Sequence, residues 1–236
     1  MRLLVDADTP CFASSIVHEE DPLEIACMEV DQMINKTIVD TQATEWNIYL
    51  TGPGNFRYAI YPEYKANRIK MPTPKHLKEV KAHVLRSWGA ILATGCEADD
   101  LLGIEQVGAN GETCICSIDK DLNQIPGKHY HPGITRKGTW LIEPHFYDVS
   151  PEEALRFFYY QLLIGDSTDN IKGAVGIGPK KADKILEGLE TPWDYYNCVK
   201  DYFSCEEELL MNARVLYIHQ KPNDLWNPPS GMDRGT

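Results

Sequence analysis

Eight carboxylates stand in four short motifs of this chain, and each motif follows an apolar run. They are Asp6 in VDAD, Glu97, Asp99 and Asp100 in CEADD, Asp119 and Asp121 in SIDKDL, and Asp166 and Asp169 in GDSTDN. Two like unit charges about 5 Å apart repel by roughly 3 kcal/mol at an effective dielectric near 20. A fold that gathers all eight therefore needs cations. Carboxylate oxygens are hard ligands, so Mg²⁺ or Mn²⁺ is the expected ion. With two such ions a water can be activated and the leaving oxygen of a phosphodiester stabilised, with no protein nucleophile. Taken singly, each motif reads as a helix N-cap, which Asp favours. Four in one chain point to metal ligation.

Two further segments carry chemistry that suits a polyanion. The stretch YKANRIKMPTPKHLKEVKAHVLRSW holds Lys65, Arg68, Lys70, Lys75, Lys78, Lys81 and Arg86 against the single acid Glu79. Cations beside an acidic metal site would draw in nucleic-acid phosphates, and Tyr64 offers a stacking face for an unpaired base. The alternative reading of such a run is a solvated helical face. Downstream, KGAVGIGPKKADKIL places Lys172, Gly173, Gly176 and Gly178 ahead of Pro179, Lys180 and Lys181. Glycines admit close backbone approach, a helix N-terminus favours anions, and the lysines add charge. The GxxGxGPxKA pattern is that of a helix–hairpin–helix gripping duplex backbone without reading sequence.

The elements that must position these groups follow from apolar periodicity. Strands are expected over residues 3–5, 46–50, 91–94 and 114–118, with helices over 23–38 and 97–106. Alternation of strand and helix predicts an α/β fold with a mostly parallel central sheet flanked by helices. Sites in such sheets lie beyond the carboxyl ends of the strands, where Asp6, the 97–100 triplet and Asp119 fall. From residue 150 the chain turns helical. Ser150 with Pro151 and Glu153 forms a capping box, and further helices are expected over 193–202 and 206–220. The predicted division is a metal-binding core over 1–149 containing a basic arch over 63–88, a helical DNA-binding region over 150–225, and a tail over 226–236.

Bulk properties limit the alternatives. The 236 residues allow one substantial core. A net charge of −12, from 23 basic and 35 acidic residues, speaks against a polyanionic partner only if charge is evenly spread, and here it is segregated. The seven cysteines are odd in number and lack CxxC spacing, so reduced thiols in a cytoplasmic protein are expected. No run reaches the roughly 18 apolar residues of a membrane span, and the N-terminus does not read as a signal peptide. The pair His129 and His131 is weak as a metal signal.

Together, VDAD, NFRYAIYPEYKANR, CEADD, IDKDL and GDSTDNIKGAVGIGPKKA resemble the flap endonuclease/5′–3′ exonuclease family, in the order of its motifs, and most closely its small stand-alone phage enzymes. The resemblance covers roughly residues 5–187. It implies a PIN-like 5′ nuclease core with a helical arch and a C-terminal helix–hairpin–helix, and a structure-specific nuclease using two Mg²⁺ or Mn²⁺. One ion would lie on Asp6, Glu97, Asp99 and Asp119 with Asp100 beside them, the other on Asp121, Asp166 and Asp169 with Asp119 nearby. Lys65 and Arg68 would contact the scissile phosphate, and with Asp119 they make up the catalytic residues. Carbonyls of Gly173, Val175, Gly176 and Gly178 would hold a K⁺ that bridges to DNA. The implied partners are DNA with 5′ flaps, nicks or 5′ ends, met by a monomer in phage replication in the host cytoplasm, with replication proteins nearby. One position departs from the family: its aspartate after the second strand is replaced by Thr51 and Gly52. Activity is expected to survive that loss. Rival readings are a branched-DNA-binding relative with weakened catalysis, and a PIN-like ribonuclease.

Overall fold

The computed structural model describes residues 1–70 and 72–230, apart from the side chains of Ile69 and Lys70. In chain order, β1 (Arg2–Asp6) leads into α1 (Asp8–Val17) and α2 (Leu23–Thr41). Next come β2 (Glu45–Thr51), α3 (Arg57–Ile60), a 3-10 turn over Ala66–Lys70, and α4 (Leu77–Trp88). After β3 (Ile91–Ala93), α5 (Ala98–Gly108) and β4 (Thr113–Cys116), a second 3-10 turn spans Lys120–Gln124. The strands β5 (Gly127–His131), β6 (Ile134–Arg136), β7 (Thr139–Ile142) and β8 (His145–Val149) then precede α6 (Pro151–Ile164). Finally the short pair β9 (Gly165–Asp166) and β10 (Ile171–Lys172) gives way to α7 (Pro179–Ile185), α8 (Pro192–Lys200) and α9 (Glu206–Leu216).

Apolar side chains on both faces of the strands explain the sheet. It runs β3-β2-β1-β4-β5-β8, parallel throughout except for β8, which pairs antiparallel with β5. Successive strand residues point to opposite faces. Leu3 and Val5 therefore pack with Ile48, Leu50, Cys114 and Cys116 beneath α2 and α4, while Leu4, Tyr49 and Ile115 pack with Ala98 and Leu102 of α5. Strands leave β1 in both directions, β2 on one side and β4 on the other. That reversal opens a crevice at the carboxyl ends, between Asp6 and Asp119.

The helical half has its own core, built around Phe158, Tyr159, Leu162 and Leu163 of α6. Its start is fixed locally: Ser150 Oγ accepts from the Glu153 amide at 3.1 Å, and Glu153 Oε2 accepts from the Ser150 amide at 2.8 Å. The two halves interlock. Tyr64, from the basic segment, lies in the helical core, and Ile218, beyond α9, lies in the sheet core.

Several expectations are corrected. The basic segment 63–88 divides in two, because Val80 and Val84 of α4 are fully buried against the sheet face and leave no free-standing helix there. Strand β4 ends at Cys116 rather than 118, where Ser117 Oγ takes the Asp119 amide at 2.9 Å. The helix expected over 206–220 stops at Leu216, after which Tyr217 packs on the helical core and Ile218 enters the sheet core. The antiparallel strands β5–β8 and the β6–β7 hairpin were not foreseen. Trp226, assigned to the tail, is buried against Phe158 and Tyr196. Residues 231–236 of that tail lie outside the described residues.

Candidate metal centre

Asp6 ends β1 and is buried, with Oδ2 accepting from Ser117 Oγ at 2.8 Å and Oδ1 from the Asp8 amide at 3.0 Å. Burial, then the neighbouring Asp8, pushes its carboxyl up to about 6, against the pull of these hydrogen bonds. Asp99, in the first turn of α5, is raised well above the usual carboxylate range by burial and by the fields of Asp6, Asp119 and Glu97. Asp119 caps the second 3-10 turn by accepting the Asp121 amide at 2.9 Å. Three expected ligands, from a strand end, a helix start and a loop, thus share one electrostatic neighbourhood.

Asp100 does not join them. It is fully buried, and its carboxylate faces the Arg57 guanidinium in a two-pronged pair of 2.7 and 2.9 Å. Its oxygens also accept the amides of Glu97 at 2.9 Å and His219 at 3.1 Å. Burial opposes its charge, but the hydrogen bonds and charge of Arg57 hold its carboxyl below the usual range. With its lone pairs committed, Asp100 is a structural anion, and its assignment as a metal ligand is corrected. Arg57 spends its remaining donors on the Val215 and Tyr217 carbonyls, at 2.8 and 2.9 Å. The pair therefore ties the start of α5, and with it Glu97, to the end of α9.

The second acidic group lies across the crevice. Burial and Asp119 push Asp121 up to about 6, although Lys120 pulls the other way. Gln161 of α6 donates to Asp121 Oδ1 at 2.6 Å, and Lys120 reaches both Asp121 (3.0 Å) and Asp166 (3.6 Å). Asp166 Oδ1 in turn accepts the Thr168 amide at 2.7 Å, shaping the loop that presents Asp169. Lys65 pairs with Glu97 and stands 3.6 Å from Asp169, while Arg68 pairs with Asp169 at 2.5 Å. Burial works against the Lys65 ammonium, but Glu97 and Asp169 outweigh it and raise its pKa.

Tyr64 takes a different place from the one expected. Its ring is 2% exposed and its hydroxyl lies 3.0 Å from Glu97 Oε2 and 2.8 Å from Asp169 Oδ2. A ring enclosed in the core has no free face for a base, so its assignment as a stacking residue is corrected. Lys70 has its side chain outside the described residues. Lys172, Lys180 and Lys181 are exposed around the glycine hairpin, and Val175 at its tip is 88% exposed. Gly176 has φ of +72° with open space around it. Gly173 answers to packing, since a Cβ there would meet the backbone carbon of Ile164 at 2.3 Å. His129 is buried in β5 with its Nε2 2.8 Å from the Ile125 carbonyl, and the His131 ring stacks on that of His145.

Sequence reasoning missed Asp8, Arg57, Ser117, Lys120 and Gln161. Ser117 and Lys120 adjoin the SIDKDL acids and Asp8 lies within VDAD, so proximity was their available signal. Arg57 stands in the NFRYAIYPEYKANR motif but acts on a residue 43 positions away, and Gln161, 40 positions from Asp121, carried no signal.

Among the described residues, no three of the His, Cys, Asp and Glu side chains already form an ion cage. Ammonium groups of Lys65 and Lys120 stand between pairs of the acids. The donor set is all hard oxygen, and the raised carboxyls of Asp6, Asp99 and Asp121 mark a surplus of negative charge. Such a set fits Mg²⁺ or Mn²⁺.

Known proteins resemble this chain in sequence and in fold. The model of the 5′–3′ exonuclease N-terminal resolvase-like domain matches residues 12–140. DNA polymerase I of Bacillus caldotenax is 31% identical over 199 residues, covering 76% of this chain and 22% of the polymerase. Flap endonuclease Xni of a Shewanella species is 32% identical over 149 residues, covering 58% of this chain and 54% of that protein. The matched part thus spans about half of the flap endonuclease and about a fifth of the polymerase. A structure of T5 5′-exonuclease with bound zinc superposes with a TM-score of 0.68 at 19% identity, covering 92% of this chain and 89% of that one. At that identity the likeness is one of fold.

Proposed function

Because this chain belongs to the flap endonuclease/5′–3′ exonuclease family, we propose that it is a divalent-metal-dependent, structure-specific 5′ nuclease. Its substrates would be DNA phosphodiesters at 5′ ends, flaps or nicks. The observation that carries the reading is the convergence of acids from β1, α5, the loop after β4 and the loop after β9 on one crevice, with Lys65 and Arg68 at its rim. Bound in pairs, Mg²⁺ or Mn²⁺ would activate the attacking water and take up charge on the leaving oxygen. Asp6, Glu97, Asp99 and Asp119 would hold one ion, and Asp121, Asp166 and Asp169 the other.

The protein's own groups do the rest. Lys65 and Arg68 would exchange their carboxylate partners for the scissile phosphate and offset its charge. Gln161 and Ser117 fix the carboxylates of Asp121 and Asp6. Exposed Lys172, Lys180 and Lys181, with the open tip around Gly176 and Gly178, would grip the duplex backbone, with K⁺ held by carbonyls of Gly173, Val175, Gly176 and Gly178. The motif resemblance to small phage enzymes supports a monomer acting in phage DNA replication in the host cytoplasm, with a core over 1–149 and a DNA-gripping region over 150–225.

The test is cleavage of a labelled 5′ flap, a nicked duplex and an equivalent RNA, in Mg²⁺ and in EDTA. Wild type should cut the DNA substrates in Mg²⁺ alone. Asp119→Ala should cut about a hundredfold more slowly or worse, and Lys65→Ala about a hundredfold more slowly. Absence of a Mg²⁺-dependent product from wild type sinks the nuclease reading, and preference for RNA favours a PIN-like ribonuclease.

A further inference from the structure

The second acid of VDAD occupies an unusual position. Asp8 opens α1, and its amide donates to Asp6 Oδ1 at 3.0 Å, so two carboxylates leave the same strand end. Its own carboxylate turns to the end of β2, where Oδ2 accepts the Thr51 amide at 3.0 Å. Oδ1 is screened from solvent and makes no hydrogen bond. The Lys81 ammonium of α4 lies 2.5 Å from it as an ion pair outside hydrogen-bond geometry, and 3.5 Å from the Thr51 carbonyl. The end of β2 cannot readily supply a carboxylate of its own. Thr51 Oγ1 is committed to the Ala98 amide at 2.9 Å, and a Cβ on Gly52 would meet the Ala93 carbonyl oxygen at 2.4 Å and Leu92 Cγ at 2.7 Å.

We propose that Asp8 is a further carboxylate of the metal centre, reaching from α1 to the end of β2 to act on an ion held beside Asp6, and that Lys81 is its exchangeable counter-ion. The inference rests on the metal-dependent reading above. Physically, one oxygen of Asp8 is fixed by a backbone amide, while the other is shared only with an ammonium on a flexible four-carbon stem. A divalent ion brings twice that charge to the same oxygen, and the ammonium can swing away. Lys81 then competes with the metal, whereas Asp8 recruits it. The rival account makes the pair a strap between α1 and α4, in which either partner is equally needed.

The two accounts separate on Mn²⁺ binding, followed by the electron paramagnetic resonance of free Mn²⁺, with thermal unfolding in EDTA alongside. Asp8→Asn should weaken Mn²⁺ binding by about tenfold or more, while Lys81→Met binds Mn²⁺ at least as tightly as wild type. Equal weakening in Asp8→Asn and Lys81→Met, with matching losses of stability in EDTA, overturns the proposal in favour of the strap. Wild-type Mn²⁺ affinity in Asp8→Asn overturns it outright. Failure of wild type itself to bind Mn²⁺ refutes instead the metal-dependent reading beneath it.

Discussion

Adjacent aspartates in CEADD carry the same formal charge and do opposite work. Asp99 is crowded by carboxylates, whereas Asp100 is neutralised by a buried guanidinium. Removing one partner of a buried pair strands the other, so Arg57→Met should cost about 3–5 kcal/mol in urea unfolding. The crowded acids have the reverse signature. Folding raises Asp6 from 3.8 to about 6, so between those values the folded state binds its proton more tightly than the unfolded chain. Stability tied to Asp6 is therefore present below that window and lost as pH rises through it. In EDTA, Asp6→Asn should be more stable than wild type at pH 7, and the difference in Tm should shrink toward pH 5. The acids were legible in the sequence because each follows an apolar run. The division of labour between Asp99 and Asp100 was not, because Arg57 is 43 residues away.

Local elements were legible wherever their signals are local. The start of α6 is one: Ser150, Pro151 and Glu153 stand at capping spacing, and both reciprocal hydrogen bonds form. Ser150→Ala should cost about 1 kcal/mol in thermal unfolding without altering Mn²⁺ affinity. Helix α4 shows where local reading misleads. Its lysines marked it as an exposed arch, yet Val80 and Val84, one turn apart, pin it to the sheet and would each lose about 1.5–3 kcal/mol on exposure. The strands β5 to β8 were missed for a related reason. Gly127, Pro132, Gly133, Gly138 and Pro144 punctuate that stretch as a loop would, and pairing such as Tyr130 with Phe146 spans sixteen residues. Tyr64 joins a core assembled from α6 onward, so nothing near it in sequence announced its burial.

Across the whole molecule, a net charge of −12 coexists with lysines gathered around the hairpin and the crevice rim. The logarithm of DNA affinity should fall linearly with the logarithm of salt concentration, and Lys180→Ala and Lys181→Ala should each lower the slope by about one, read by fluorescence anisotropy in EDTA. The parallel sheet was foreseen from its alternating strands and helices, but the return of Ile218 to the sheet core was not. That return has a temporal meaning. Arg57 completes its coordination only with the carbonyls of Val215 and Tyr217, and Asp100 only with the amide of His219. A nascent polypeptide still short of residue 215 holds every acid of the crevice, yet lacks the clasp that orients Glu97. The crevice is thus set in order only once residues 215–219 have packed against the start of α5, more than a hundred positions upstream of them.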